Sequence, residues 1–277
     1  MENFIREEDA YNLNECNCED FIISSMKWSF SRLNSFDNGC KLEWYRHYIE
    51  CEPSKPGFYG AAGGFCHKIL EMYENGELDM WDLPMYFEEH FAEEVPYDAP
   101  PNKYTDIKQD WFDQVLDYFN NIDLPIDQYK VCGVEKKLDF MVDKYPFIGF
   151  IDLFLRDPED GKFILCDHKS SNIKILKSGK ISKSDQEHFL AFKRQQYLYC
   201  LPIIEEYGKG CVKELRWNMF RNKQWISIPF DEKEYQETIN WALDTIHRIE
   251  NETEWLPKVD RFYCWNLCGM NYCDYKP

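Results

Sequence analysis

The sequence lacks any apolar run long enough to cross a bilayer as a helix, which takes about 20 consecutive residues. Its longest apolar stretch, residues 147–155, is interrupted by Gly149 and Asp152. It also lacks the basic and then apolar opening of a secretory signal, because Glu7, Glu8 and Asp9 make the beginning of the chain acidic. No internal repeat is visible, and 277 residues suffice for one sizeable core. These absences predict a single elaborated domain over 1–277 that spans no membrane and stays in the cytoplasm. Positive charge is scarce as well. Against 50 Asp and Glu there are 32 Lys and Arg, a formal charge of −18, which opposes loose adhesion to a polyanion. Any affinity for nucleic acid would have to come from a local basic groove or from a partner protein.

Cysteine, in contrast, is plentiful. Twelve cysteines are spread over a long chain with 44% hydrophobic residues. Without an export signal they read as reduced thiols, some of them binding metal, rather than as a disulfide framework.

Along the chain, segment 1–56 opens with a polar, aperiodic stretch to about residue 25, expected to be loosely held. It continues with two short helices between Ser29 and Ile49, separated at Gly39 and Cys40. Residues 57–76 read as a glycine-rich approach, Gly57 to Gly64, followed by a helix with apolar face Phe65, Ile69, Leu70, Met72 and Tyr73 and with His67 in its first turns. Residues 77–125 are aromatic and acidic and read as a helical insertion or lid, divided by Pro96, Pro100 and Pro101. In the core, 126–250, strands are expected at 131–142, 147–155 and 163–169, a helix at 185–207, strands at 212–220 and 224–229, and a last helix at 231–249. That order predicts the α/β class, a central mixed sheet flanked by helices. Residues 251–277 hold a C-terminal cysteine cluster.

The chemistry concentrates on two neighbouring strands. Asp152 interrupts Ile148-Gly149-Phe150-Ile151, and Asp167 interrupts Phe163-Ile164-Leu165-Cys166. An ionised carboxylate inside such a run is costly unless it is paired or bound to metal. In Asp167-His168-Lys169 the first and third residues share one strand face, so a carboxylate and an ammonium can address one water together, and the carbonyl of His168 offers a further ligand. Hydrolysis of a phosphodiester needs such convergence of carboxylates around a divalent cation. An isolated Asp-x-Lys is far more often structural, which here would be an ion pair of Asp152 with Lys169 near the sheet end.

The ordered set is more specific. It comprises Gly64-Phe65-Cys66-His67 opening a helix, Glu135 on the first core strand, Gly149-Phe150-Ile151-Asp152 on the second, Asp167-His168-Lys169 on the third, and Gln195-Gln196-Tyr197-Leu198-Tyr199 on the helix that follows. In this order, from 64 to 199, the chain resembles the RecB-like branch of the PD-(D/E)XK nuclease superfamily. The resemblance implies a restriction-endonuclease-like core. It implies His67, Asp152 and Asp167 as metal ligands, Lys169 as the group that positions or activates water, and Gln195 and Tyr199 facing the active site and DNA. Gln195 and Tyr199, four apart, do share a helical face. Imidazole with carboxylate suits Mn²⁺ as well as Mg²⁺. The alternation around Glu135 also fits an ordinary solvent face.

Cys264, Cys268 and Cys273 fall within ten residues, a density that points to metal. The four-cysteine RecB-like nucleases, of helicase-nuclease and CRISPR-associated types, staple their ends with a [4Fe-4S] cluster held by one upstream cysteine and three downstream. By that resemblance Cys40 joins Cys264, Cys268 and Cys273. The spacing here is C-x3-C-x4-C where the family has C-x2-C-x5-C; Zn²⁺ is the alternative metal, and Cys51, Cys16 and Cys18 are alternatives to Cys40. Cys66, Cys132, Cys166, Cys200 and Cys211 read as small core residues.

The resulting expectation is a metal-dependent deoxyribonuclease, an exonuclease foremost, acting on single strands or DNA ends in recombination, repair or replication. Lys174, Lys177, Lys180, Lys183, Lys193 and Arg194 are the expected phosphate track. The alternatives are a non-catalytic, metal-stapled adaptor or a nuclease active only with a helicase or recombination partner. The compact architecture resembles stand-alone versions carried by phages and mobile elements.

Overall fold

The computed structural model describes residues 18–176 and 180–277. Five strands form one mixed sheet in sequence order: β1 (Lys130–Val142), β2 (Tyr145–Arg156), β3 (Phe163–Lys169), β4 (Val212–Met219) and β5 (Gln224–Pro229). All neighbours are antiparallel except β3 and β4. A parallel pair needs a crossover rather than a hairpin, and α7 (Gln186–Tyr207) supplies it. The α/β class and the mixed sheet flanked by helices are as expected.

Alternation along β3 sorts its two faces. Phe163 and Leu165 join the main core beneath α7 with Leu215, Trp217 and Met219 of β4, while Ile164 and Cys166 pack on the opposite face with Leu153 and Leu155. The main core is completed by α8 (Glu232–Glu250), whose start is capped by Asp231 accepting from Glu234 N at 2.9 Å, and by α2 (Phe30–Asn38) and α3 (Lys41–Tyr48). A second core joins α4 (Phe58–Glu74), α5 (Leu83–Glu94) and α6 (Ile107–Asn120) around Phe65, Phe87, Trp111 and Phe119. Phe220, at the end of β4, enters this second core and ties it to the sheet.

Four expectations change. The expected loose stretch up to about residue 25 includes α1 (Cys18–Ser24), with Ile23 buried in the main core; residues 1–17 lie outside the described residues. The segment 57–64, expected as an approach to a helix, is already helical, so α4 begins at Phe58 and His67 sits in its middle. A short α9 (Arg261–Asn266) precedes the last cysteines, where none was expected. Of the five cysteines expected in the core, Cys66, Cys166 and Cys200 are buried, but Cys132 is exposed on edge strand β1 and Cys211 is only partly covered. Among the described residues no helix is long and apolar enough to cross a membrane.

Candidate active site

Strand register builds the centre of the site. Leu153 pairs with Cys166, so the next positions toward the sheet end are Asp152 and Asp167 on adjacent strands. On the other side of β2, the pairs Val134–Leu153 and Lys136–Ile151 flank Glu135 and Asp152. Three carboxylates thus stand in a row across β1, β2 and β3. Glu135 achieves this with a left-handed φ of 44° inside a strand, a conformation that stores strain in a non-glycine residue.

His67 reaches this row from α4, its Nδ1 3.5 Å from Asp152 Oδ2. One donor atom each from His67, Glu135 and Asp152 lies within 4.8 Å of the others. Asp167, expected as a ligand, stands outside that close trio and faces Lys169, whose Nζ is 2.7 Å from Asp167 Oδ2 and donates to Gln195 Oε1 at 2.8 Å. Despite the ion pair, the buried Asp167 Oδ2 has no aligned hydrogen-bond donor. Tyr199 lies one turn beyond Gln195 and is almost fully buried, with its hydroxyl directed to Gln195 and to the Phe150 backbone. Gly149 makes room for it: a Cβ there would sit 2.3 Å from Tyr199 Cε1.

The electrostatics favour a cation. Burial, with the cationic His168 close by, brings His67 down to about 4, so its imidazole is neutral near pH 7 with a lone pair to give. Burial, then the like charges of Asp152 and Glu71, push Glu135 up to about 7. Burial raises Asp167 too, against the pull of Lys169. Crowded carboxyls that resist ionisation, one unaligned buried oxygen and a neutral imidazole fit a divalent cation, whose charge would favour the ionised forms.

His168 divides its groups between the two faces. Its backbone N–H donates to Asp152 Oδ2 at 2.7 Å. Its ring turns away from Asp167 and Lys169 and contacts Glu74 of α4, Nε2 to Oε1 at 2.8 Å, and Asn218 of β4, Nδ1 to Nδ2 at 3.0 Å. The imidazole is therefore taken, and only the His168 carbonyl stays available as the expected ligand. Burial alone would lower His168, but the Glu74 carboxylate overrides it and brings it up to about 9. Asn218 also donates to the Tyr118 hydroxyl at 2.7 Å, while its own Oδ1 is buried without a partner. Turning that amide over would let Oδ1 accept from both the ring N–H and the tyrosine hydroxyl, the arrangement a doubly protonated ring requires. Glu74, Asn218 and Tyr118 did not stand out in the sequence. One signal was available, since Glu74 lies seven residues after His67, two turns along the same face of α4.

Away from the sheet, Cys40 and Cys264 are buried and Cys268 and Cys273 half-covered. Lys258 stitches the first two together: its backbone N–H donates to Cys40 Sγ at 3.2 Å, and the Cys264 thiol donates to its carbonyl at 3.4 Å. Burial pushes Cys268 up to about 11, with Cys40 and Cys273 among the groups acting on it. Glu43 holds the same region from α3, accepting from the Tyr263 hydroxyl and from Gly269 N, both at 2.6 Å. Cys51, an alternative to Cys40, is exposed; Cys16 lies outside the described residues.

Two cations of the expected phosphate track are engaged in ion pairs. Lys193 is paired with Glu234 at 2.5 Å, and Arg194 with Asp37 at 3.3 Å while covering the Trp241 ring. Both belong to the packing of α7 on α8 and α2, because they fall on the helix flank opposite Gln195 and Tyr199. Lys177 lies outside the described residues.

No family model matches the chain, and no curated protein matches it. Solved structures do. A crystal structure of a protein from Eubacterium rectale, provisionally named an exonuclease, superposes with a TM-score of 0.52 over 99% of this chain and 96% of that one, at 11% identity. At that identity the likeness shows a shared fold along the full length of both chains.

Proposed function

We infer that this chain is a metal-dependent deoxyribonuclease of the RecB-like PD-(D/E)XK type, hydrolysing phosphodiester bonds of single strands or DNA ends. The observation that carries this reading is the meeting of His67, Glu135 and Asp152 beside the Asp167–Lys169 pair on adjoining strands. The shared fold with a protein provisionally named an exonuclease supports it. His67, Asp152, Asp167, Glu135 and the His168 carbonyl would hold Mg²⁺ or Mn²⁺. When bound there, the cation would supply Lewis-acid polarisation of a phosphate oxygen and would lower the pKa of an attacking water.

The protein's own groups do the rest. Lys169, held by Gln195, orients the water and offsets negative charge as the phosphate is attacked. His67 stays neutral and so remains a ligand rather than a competing cation. Tyr199 fixes Gln195 and closes the floor beneath the carboxylates. By the same resemblance Cys40, Cys264, Cys268 and Cys273 would hold a [4Fe-4S] cluster, a wider cage than Zn²⁺ needs, since among the described residues no three of their sulfurs lie within 4.8 Å of one another. The same resemblance would place its work in recombination, repair or replication.

A second reading, a nuclease that cuts only when a helicase or recombination protein delivers DNA, draws support from the net charge of −18 and from the engagement of Lys193 and Arg194 in internal ion pairs. The test is cleavage of end-labelled single- and double-stranded DNA by anaerobically purified protein with Mn²⁺, Mg²⁺ or EDTA, comparing wild type with Asp167→Ala and Lys169→Ala. Metal-dependent cleavage lost in both variants is expected. Folded wild type that cuts neither substrate under any metal would remove the stand-alone reading.

A further inference from the structure

We propose that Glu74, acting through His168, is a positioning residue that sets the metal-binding groups of α4 and β3 against each other. This rests on the metal-nuclease reading and extends it to residues on the far face of the sheet.

A buried chain of polar side chains runs from α4 to α6 beneath the site. Glu74 meets His168 Nε2 at 2.8 Å, Asn218 meets His168 Nδ1 at 3.0 Å, and the Tyr118 hydroxyl meets the Asn218 amide at 2.7 Å. The Glu74 and His168 side chains are 1% and 2% exposed. Around them are the apolar residues of the second core, among them Cys66, Leu70 and Phe220. Taking such a pair out of water costs more than its mutual attraction reliably returns, and apolar side chains of similar volume would often hold the fold as well. Its effect is geometric instead.

Two consequences meet at the site. Glu74 stands two turns from His67 on one face of α4, so anchoring Glu74 to β3 fixes the rotation and height of the helix and with them the 3.5 Å approach of His67 to Asp152. The same bond pins the His168 ring on one face, so its backbone N–H is held toward Asp152 Oδ2 at 2.7 Å and its neighbours Asp167 and Lys169 are held to the other face. Both contacts require only that the ring keep its place between Glu74 and Asn218, whatever its charge. Outer partners of this kind commonly govern metal affinity, by about 10- to 100-fold on removal.

The test measures Mn²⁺ binding to DNA-free protein by electron paramagnetic resonance, with cleavage kinetics and thermal melting alongside, for wild type, Glu74→Ala, Glu74→Gln and Asn218→Leu. Glu74→Ala is expected to weaken Mn²⁺ binding about 10-fold or more and to lower kcat while KM for DNA holds. Glu74→Gln keeps an acceptor for Nε2 and is expected to recover most of the affinity. If Glu74→Ala does not fold, Asn218→Leu, which frees the other side of the ring, carries the comparison and is expected to weaken binding in the same sense. A folded Glu74→Ala or Asn218→Leu that melts earlier yet keeps wild-type Mn²⁺ affinity and kcat would overturn the proposal and leave the chain of contacts purely structural. Wild type that neither binds Mn²⁺ nor cuts DNA is a different failure, that of the metal-nuclease reading itself.

Discussion

At the scale of single residues, Glu135 carries two costs at once. Its backbone sits at φ 44°, where a side chain is disfavoured by roughly 1–2 kcal/mol, and its carboxyl is pressed up to about 7 by burial, then by Asp152 and Glu71. Strain that persists in edge strand β1 beside four other ligand candidates is stability exchanged for geometry. Asparagine tolerates the left-handed region and carries no ionisable group. Glu135→Asn is therefore expected to raise the stability of the metal-free protein by about 1 kcal/mol, read from urea unfolding in EDTA, and to weaken Mn²⁺ binding in the same preparation. A variant that loses both would show that the strained backbone is held by the carboxylate, not in spite of it. The sequence made two members of the row stand out, because Asp152 and Asp167 interrupt apolar strands and Asp167 and Lys169 share a face by alternation, but it left Glu135 open between a ligand and an ordinary solvent face. For Glu74 it offered only the spacing from His67, and for the His168 ring no destination. Those depend on which helix covers the second face of β3, a fact of packing rather than of local pattern. The role of Gly149 was hidden for the same reason: its missing Cβ matters only because the Tyr199 ring occupies the space it would fill.

At the scale of elements, α4 shows where local propensity misleads. Gly57, Gly60, Gly63 and Gly64 suggested an irregular approach, since each helical glycine costs about 0.5–1 kcal/mol relative to alanine. Yet the helix begins at Phe58, because Phe58, Ala62, Phe65, Ile69 and Leu70 form a buried stripe whose packing outweighs that cost. The glycines are not equivalent. A Cβ at Gly60 or Gly64 would meet nothing within 4 Å, whereas one at Gly63 would stand 3.2 Å from Ser170 Oγ, the residue after Lys169. Gly60→Ala and Gly64→Ala are expected to stabilise the protein by about 0.5–1 kcal/mol each. Gly63→Ala should gain less or nothing, since it presses on the end of β3. Equal shifts in the denaturation midpoint at all three positions would deny the close approach of helix and strand. The strands and α7 and α8 were readable to within a residue or two, as their apolar periodicity is strong and their turns carry Pro, Gly and Asn. Two cysteines were less so, for the exposure of Cys132 is set by what lies beyond edge strand β1, and Cys211 sits in the loop before β4, where its cover depends on the end of α7.

At the scale of the whole molecule, the issue is how a protein of charge −18 would hold a polyanion. Many of its cations are already engaged: Lys27 with Asp139, Lys41 with Glu252, Lys68 with Glu94, Lys193 with Glu234, Arg194 with Asp37, Lys213 with Asp157 and Lys223 with Asp117. Surface pairs of this kind add little stability, but each occupies a charge that a phosphate would otherwise meet. DNA should then be gripped mainly at the metal site and by the few cations around it, with counterion release correspondingly small. For single strands the slope of log affinity against log salt is about −0.7 per phosphate contacted, so three or four contacts give a slope of about −2 to −3. Fluorescence anisotropy with Asp167→Asn protein, which should bind without cutting, would measure it. A slope steeper than about −6 would require eight or more phosphates in contact, a basic surface that the engaged cations do not provide. In that case the ion pairs on α7 must open when DNA arrives, and Lys193 and Arg194 return as the track.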